Sequence, residues 1–181
     1  MTAAKTVIDI EALNQADRRA FVDMLGQVFE NSPWVAELAW EARPFGNVDA
    51  LHHAMVAVVR RADAERRIRL LRAHPELAGR IARAGDLTAE STFEQSIAGL
   101  DRLTPEELEH FDALNAAYRE KFGFPFIIAV RNHTKSSILD RFERRLAHSA
   151  DTEIEAALAE VSKITRMRLD DLVAPPLDHP E

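Results

Sequence analysis

Apolar residues recur at helical spacing along nearly the whole chain. Between Ala16 and about Phe29, the residues Phe21, Leu25, Val28 and Phe29 share one stripe and predict a helix. Ser32-Pro33 reads as an N-cap followed by a proline at the first helical position, so a short helix starts there and ends before Pro44. Asn47 caps a segment that turns Leu51, Met55, Val58 and Val59 inward, and Asp63 caps another carrying Ile68, Leu70 and Leu71. Pro75 opens a new turn with Leu77 and Ile81, closed by Gly85. Thr104-Pro105-Glu106-Glu107 is a capping box with a proline inside it; the helix it starts runs through Phe111, Leu114 and Tyr118 and stops at Gly123. Lys135 to His148 repeats the pattern with Ile138, Phe142 and Leu146, and Asp151 begins a long last helix through Ile154, Leu158, Val161, Ile164 and Leu169.

One stretch breaks the helical period. Phe122 to Arg131 reads Phe-Gly-Phe-Pro-Phe-Ile-Ile-Ala-Val-Arg, with Gly and Pro inside an apolar run. It predicts a buried, extended connector between two helices. Buried non-helical backbone leaves N–H and C=O groups that need partners, from side chains or from a ligand. The expected architecture is all-α: a single-domain multi-helix bundle of about eight helices with that connector inside it. The domain is expected over residues 1–174, with 175–181 a disordered tail.

Composition narrows the function. The chain has 181 residues, enough to bury a core without staples, and only 6 are Gly, in keeping with helix. Lys+Arg 23 against Asp+Glu 30 gives a net charge of −7, which argues against nucleic acid as a partner. Cys is 0, so disulfides, thiolate metal sites and Cys nucleophiles are excluded. No stretch approaches the ~20 apolar residues of a membrane span, and no apolar signal core follows Met1. The expectation is a cytoplasmic protein with no membrane partner.

Seven histidines are present. His52-His53 resembles a metal pair, but adjacent helical residues point about 100° apart and do not converge on one ion. No His-Glu-x-x-His occurs, and no metal site is expected. His74 precedes Pro75 and so falls at a helix junction. Its plain reading is a cap or core-edge residue; its functional reading is an imidazole projecting into a cleft. Ser91-x-x-Glu94-Gln95 likewise reads plainly as a capping box, and functionally as a hydroxyl, a carboxylate and an amide on one helical face. Trp34 and Trp40 read as core, and the arginine pairs Arg60-Arg61, Arg66-Arg67 and Arg144-Arg145 as solvated surface. No phosphate loop, dinucleotide fingerprint or nucleophile elbow appears.

Taken in order, several of these pieces resemble one family. They are Phe29-Glu30-Asn31-Ser32-Pro33-Trp34, Arg43-Pro44-Phe45, His74-Pro75-Glu76-Leu77-Ala78-Gly79, Ser91-x-x-Glu94-Gln95-x-x-Ala98-Gly99-Leu100, and Lys121 through Arg131. The sequence is similar to 2-oxo-4-hydroxy-4-carboxy-5-ureidoimidazoline (OHCU) decarboxylases over roughly residues 10 to 173. The resemblance implies an all-helical homodimer that needs no metal or organic cofactor and converts OHCU to (S)-allantoin and CO2 in urate breakdown. It places the family's catalytic histidine on His74, with Pro75 lining the pocket. Glu94 falls at the second catalytic position, with Ser91 and Gln95 binding the ureido and ring groups. Phe126, Ile127, Ile128, Ala129, Val130 and Arg131 fall on the substrate-binding connector, and a late arginine falls on Arg168. The family often has Asp where this chain has Glu76, which keeps the charge. His133 receives no role.

The implied chemistry suits these residue types. Loss of CO2 leaves an electron pair that the neighbouring ring C=N accepts, so the substrate is its own electron sink. The protein must fix the carboxylate, limit its hydration and deliver a proton to one face. Competing readings are a catalytically silent helical ligand-binding or regulatory module of the same fold, a decarboxylase for a related ureido acid, and a purely structural bundle. A binder need not keep a proton donor such as His74, and a plain bundle need not keep the connector.

Overall fold

The computed structural model describes residues 7–78 and 87–173. Among the described residues there are nine α-helices: α1 (Ile10–Gln15), α2 (Arg18–Leu25), α3 (Trp34–Ala39), α4 (Val48–Arg61), α5 (Ala64–Arg72), α6 (Ala89–Ile97), α7 (Pro105–Phe122), α8 (Lys135–Arg145) and α9 (Ala150–Leu172). Short 3₁₀ turns lie at Trp40–Ala42 and Val130–Asn132, and the one β-type pairing among the described residues is a bridge between Ile8 and Val173. The all-α fold agrees with the sequence pattern. One helix beyond expectation is α1, six residues long and too short to show a stripe. The expected turn from Pro75 to Gly85 lies partly, and the expected tail 175–181 wholly, outside the described residues.

The helix ends follow their local chemistry. Asn47 Oδ1 accepts from Ala50 N at 2.9 Å, and Asp63 Oδ1 from Arg66 N at 2.7 Å. Thr104 and Glu107 form the reciprocal capping box of α7, and Gly123 closes that helix at φ 74°, in the left-handed region where glycine is unstrained. Ser32 does not cap α3: that helix begins at Trp34, preceded by Pro33, with no side-chain cap.

The chain divides into two units, Met1–Arg67 with Ile164–Glu181, and Ile68–Lys163. In the first, Leu13, Phe21, Leu25, Leu51 and Met55 are fully buried, and the rings of Phe21 and Phe45 stack at 6.1 Å. Asn14 exchanges two hydrogen bonds with the Phe45 main chain, at 2.9 and 2.8 Å. Trp34 and Trp40, expected in the core, are only half-buried. Arg66 lies over Trp34, and Arg18 and Arg43 over Trp40, because an indole at a rim can keep one face against a cation.

The second unit is rooted in an aromatic cluster. Tyr118 on α7 is fully buried and meets the rings of Phe122, Phe124, Phe126 and Phe142 at 4.6 to 5.9 Å. Phe126 and Phe142 stack at 3.9 Å. A buried phenol needs a partner for its O–H, and Tyr118 donates to Glu153 on α9. Glu153, itself fully buried, also accepts from Arg145 Nε at 2.8 Å and from His148 Nδ1 at 2.7 Å. Arg145 is therefore not the solvated surface its sequence neighbours suggest. It falls on the stripe of Ile138 and Phe142, and only Arg144 of that pair is exposed.

Candidate active site

The last carbonyls of a helix lack intrahelical partners. His74, just past α5, supplies one: its Nδ1 lies 2.9 Å from the Leu70 carbonyl oxygen. A carbonyl only accepts, so Nδ1 carries the hydrogen and Nε2 is the atom that gains or loses a proton. The residue is buried, 7% exposed.

The turn that follows is pinned from two helices. Asn115 Nδ2 on α7 donates to Leu77 O at 2.9 Å. Gln95 on α6 accepts from Ala78 N at 3.0 Å and donates to Glu76 O at 3.4 Å, while Arg119 pairs with Glu76 at 2.7 Å. Ala78 sits at φ 50°, a conformation costing an L-residue roughly 1–2 kcal/mol, which these contacts offset. The amide of Gln95, expected to hold substrate, is thus engaged with the backbone of the His74 segment.

α6 buries three polar side chains and exposes two large apolar ones. Ser91, Glu94 and Gln95 are 5%, 6% and 6% exposed, whereas Phe93 and Ile97 are 52% and 53% exposed. The helix is capped one turn earlier than expected, by Thr88, whose Oγ1 accepts from Ser91 N at 3.3 Å. Ser91–Glu94 is therefore not a capping box, and burying three polar side chains on one face costs free energy that helix initiation does not explain. Arg131 Nη2 lies 3.6 Å from Glu94 Oε1, and its guanidinium lies 5.4 Å from the Phe93 ring centre.

The connector is buried from Phe124 through Val130 and has no regular structure before the 3₁₀ turn at Val130. Phe124 and Phe126 anchor it in the aromatic cluster. Side chains answer part of its backbone demand: Arg145 Nη1 donates to Ile127 O at 2.6 Å, and Glu160 Oε2 accepts from Ala129 N at 2.9 Å. Burial pushes the Glu160 carboxyl up, but the Lys163 ammonium and the Ala129 N–H outweigh it and hold the group below the usual carboxylate range. Burial, together with Arg141, depresses His133.

His74, Pro75, Ser91, Glu94, Gln95, Arg131 and the connector Phe126–Val130 thus all belong to the unit Ile68–Lys163. Their contacts tie α6 to the His74 turn at one side and to Arg131 at the other. Arg168 lies in the other unit, buried, with Nη1 2.8 Å from Glu30 Oε2 and 3.4 Å from Gln27 O. Among the described residues no group of three or more His, Cys, Asp or Glu could hold a metal ion.

Arg145, Glu153, Glu160 and Asn115 were not distinguished in the sequence. The signal was there for α9: Glu153, Ala157, Glu160, Val161 and Ile164 keep helical spacing, and all are buried. Charge alone disguises two of them as surface.

Comparison with known proteins decides the family, since the model for OHCU decarboxylase matches residues 14–170. The chain belongs to the OHCU decarboxylase family. It is 45% identical over 170 residues to the OHCU decarboxylase of Halalkalicoccus jeotgali, covering 94% of each protein. It is 39% identical to that of Mus musculus, over 92% of this chain and 93% of the mouse protein. The uric acid degradation bifunctional protein PucL of Bacillus subtilis is 39% identical across 91% of this chain, which spans 32% of PucL. Among solved structures, an (S)-allantoin synthase superposes with a TM-score of 0.70 at 32% identity, over 91% of this chain and 54% of that one. The chain thus spans about half the length of that synthase. A crystal structure of OHCU decarboxylase in the presence of (S)-allantoin gives a TM-score of 0.66 at 21% identity, over 85% and 96%, and shares the fold.

Proposed function

We propose that this protein is a cofactor-independent carboxy-lyase that converts OHCU to (S)-allantoin and CO2 in urate degradation. The family match over 14–170 runs through both units, so the activity is assigned to residues 1–174 as one functional domain. The observation that carries the reading is the buried polar face of α6. Ser91, Glu94 and Gln95 are withdrawn from water on a helix that leaves Phe93 and Ile97 exposed, and this face is tethered to the turn that bears His74.

The substrate carries a carboxylate and a hydroxyl on one ring carbon, next to a ring C=N. As the bond to CO2 breaks, its electron pair forms a C=C with the adjacent carbon, and the C=N pair moves to nitrogen, which takes a proton. The hydroxyl then loses its proton to become a carbonyl, and the adjacent carbon gains one. His74 Nε2 is the acid of this sequence, because Nδ1 is committed to Leu70 O. Glu94, held by Arg131, orients the ring N–H and hydroxyl donors, and Ser91 adds a hydroxyl contact. Pro75 and the connector Phe126–Val130 exclude water from the leaving carboxylate and contribute backbone groups. Gln95 places the His74 turn and, with Arg168, contributes to substrate binding. Delivery of the last proton to one face gives one enantiomer.

A cytoplasmic homodimer without nucleic-acid or membrane partners completes the proposal. A net charge of −7 and the lack, among the described residues, of any helix long and apolar enough to cross a membrane are consistent with it. The test couples fresh enzymatic oxidation of urate to this protein and follows circular dichroism. Rapid appearance of optically active allantoin is expected; a slow racemic product equal to the protein-free control overturns the reading.

A further inference from the structure

The connector is gripped at two alternate residues. Arg145 Nη1 donates to Ile127 O at 2.6 Å, and Glu160 Oε2 accepts from Ala129 N at 2.9 Å. Ile127 C=O shares a planar trans peptide with Ile128 N–H, and Ala129 N–H shares one with Ile128 C=O. The C=O and N–H of one such peptide point in opposite directions. The two grips therefore fix both peptide planes flanking Ile128, and with them the directions of its N–H and C=O.

Each grip is itself braced. Arg145 is held by Glu153, which Tyr118 and His148 also engage, so its guanidinium has little freedom to swing away. The other oxygen of Glu160 accepts from Lys163 Nζ at 2.6 Å. The two grips come from different helices, α8 and α9, and neither residue is among those expected at the site. A carboxylate and a guanidinium, each about nine-tenths buried, are an expensive way to hold a surface loop but a precise way to hold a donor–acceptor pair.

We propose that Arg145 and Glu160 are positioning residues: they clamp the two peptide planes flanking Ile128 so that its N–H and C=O are presented as a fixed pair to the ureido group of the substrate. A ureido group offers N–H donors beside a carbonyl acceptor, which one residue's main-chain pair complements. This inference rests on the decarboxylase reading above.

The experiment uses the full chain and OHCU generated in situ from urate. Glu160→Ala removes the acceptor for Ala129 N–H. It is expected to raise KM at least tenfold, to leave kcat within threefold, and to speed amide exchange at Ala129 at least tenfold. Glu160→Gln keeps a carbonyl oxygen at the same place and is expected to stay within twofold of the wild type in KM. An unchanged KM in Glu160→Ala alongside a lowered Tm overturns the proposal, as does Glu160→Gln falling as far as Glu160→Ala. If the wild type itself yields no optically active allantoin, the decarboxylase reading fails and the ureido role with it. Unchanged Ala129 exchange in Glu160→Ala refutes the clamp independently of turnover.

Discussion

The Nδ1–H of His74 is given to the Leu70 carbonyl, and this single bond sets both the tautomer of the ring and its direction. Asparagine can reproduce that N–H through its amide but has no atom in the place of Nε2. His74→Asn is therefore expected to lower kcat by about 10²–10⁴ while leaving the thermal melt nearly unchanged, as measured by dichroism of the product and of the helices. Glu94 sits 3.6 Å from Arg131 and is 6% exposed, so its carboxylate is neither a helix cap nor a surface charge. Glu94→Gln keeps the shape and is expected to leave a folded helix with kcat/KM reduced by at least about tenfold, on the scale of one lost charge-assisted bond. A variant that only melted earlier would return Glu94 to a structural role. Glu153 is the sharpest stability site. It neutralises Arg145 in a fully buried setting and accepts from Tyr118 and His148 as well. Glu153→Gln strands the guanidinium, at a cost of about 3–5 kcal/mol, readable as a fall in urea midpoint.

Among the elements, what could be read from sequence depended on whether polarity and position agreed. α7 was legible end to end because its capping box, its apolar stripe and Gly123 all point to the same helix. The connector was legible because Gly and Pro interrupt an apolar run that stays buried from Phe124 to Val130. α8 and α9 were legible as helices but not as site supports. Arg145, Glu153 and Glu160 hold core positions with charged side chains, and a reading that equates charge with exposure passes over them. α6 shows the opposite failure: Ser91 and Glu94 fit a capping box by spacing, yet Thr88 caps the helix one turn earlier. Spacing cannot tell which of two hydroxyls meets the orphan amides. The candidate site was visible as His74, Glu94 and the connector, whereas the Gln95 bridge to Glu76 and Ala78 is a long-range contact that no local pattern encodes.

For the molecule as a whole, three shifted groups push stability in one direction. His133 is depressed from its ordinary 6.5 by burial and by Arg141, so the unfolded chain binds more protons just below that value, and stability falls as pH drops through the window. Glu160 is also depressed, with burial opposed and outweighed by Lys163 and Ala129 N–H, and Glu107 is depressed by its bond to Lys135. Their contributions are present above the ordinary carboxyl value of 4.5 and are lost as pH falls below it. Tm is thus expected to decline in two stages on acidification, first beneath pH 6.5 and again beneath 4.5. His133→Gln is expected to flatten the first stage and spare the second, as followed by thermal melts across a pH series. The exposed side of α6 also has a practical use. Ile97 is half exposed on the same helix as Glu94, and the sequence contains no thiol at all. A cysteine placed there would be unique in the polypeptide, so a spin label or fluorophore could be attached at one known spot and report ligand arrival from behind the helix face that carries Glu94.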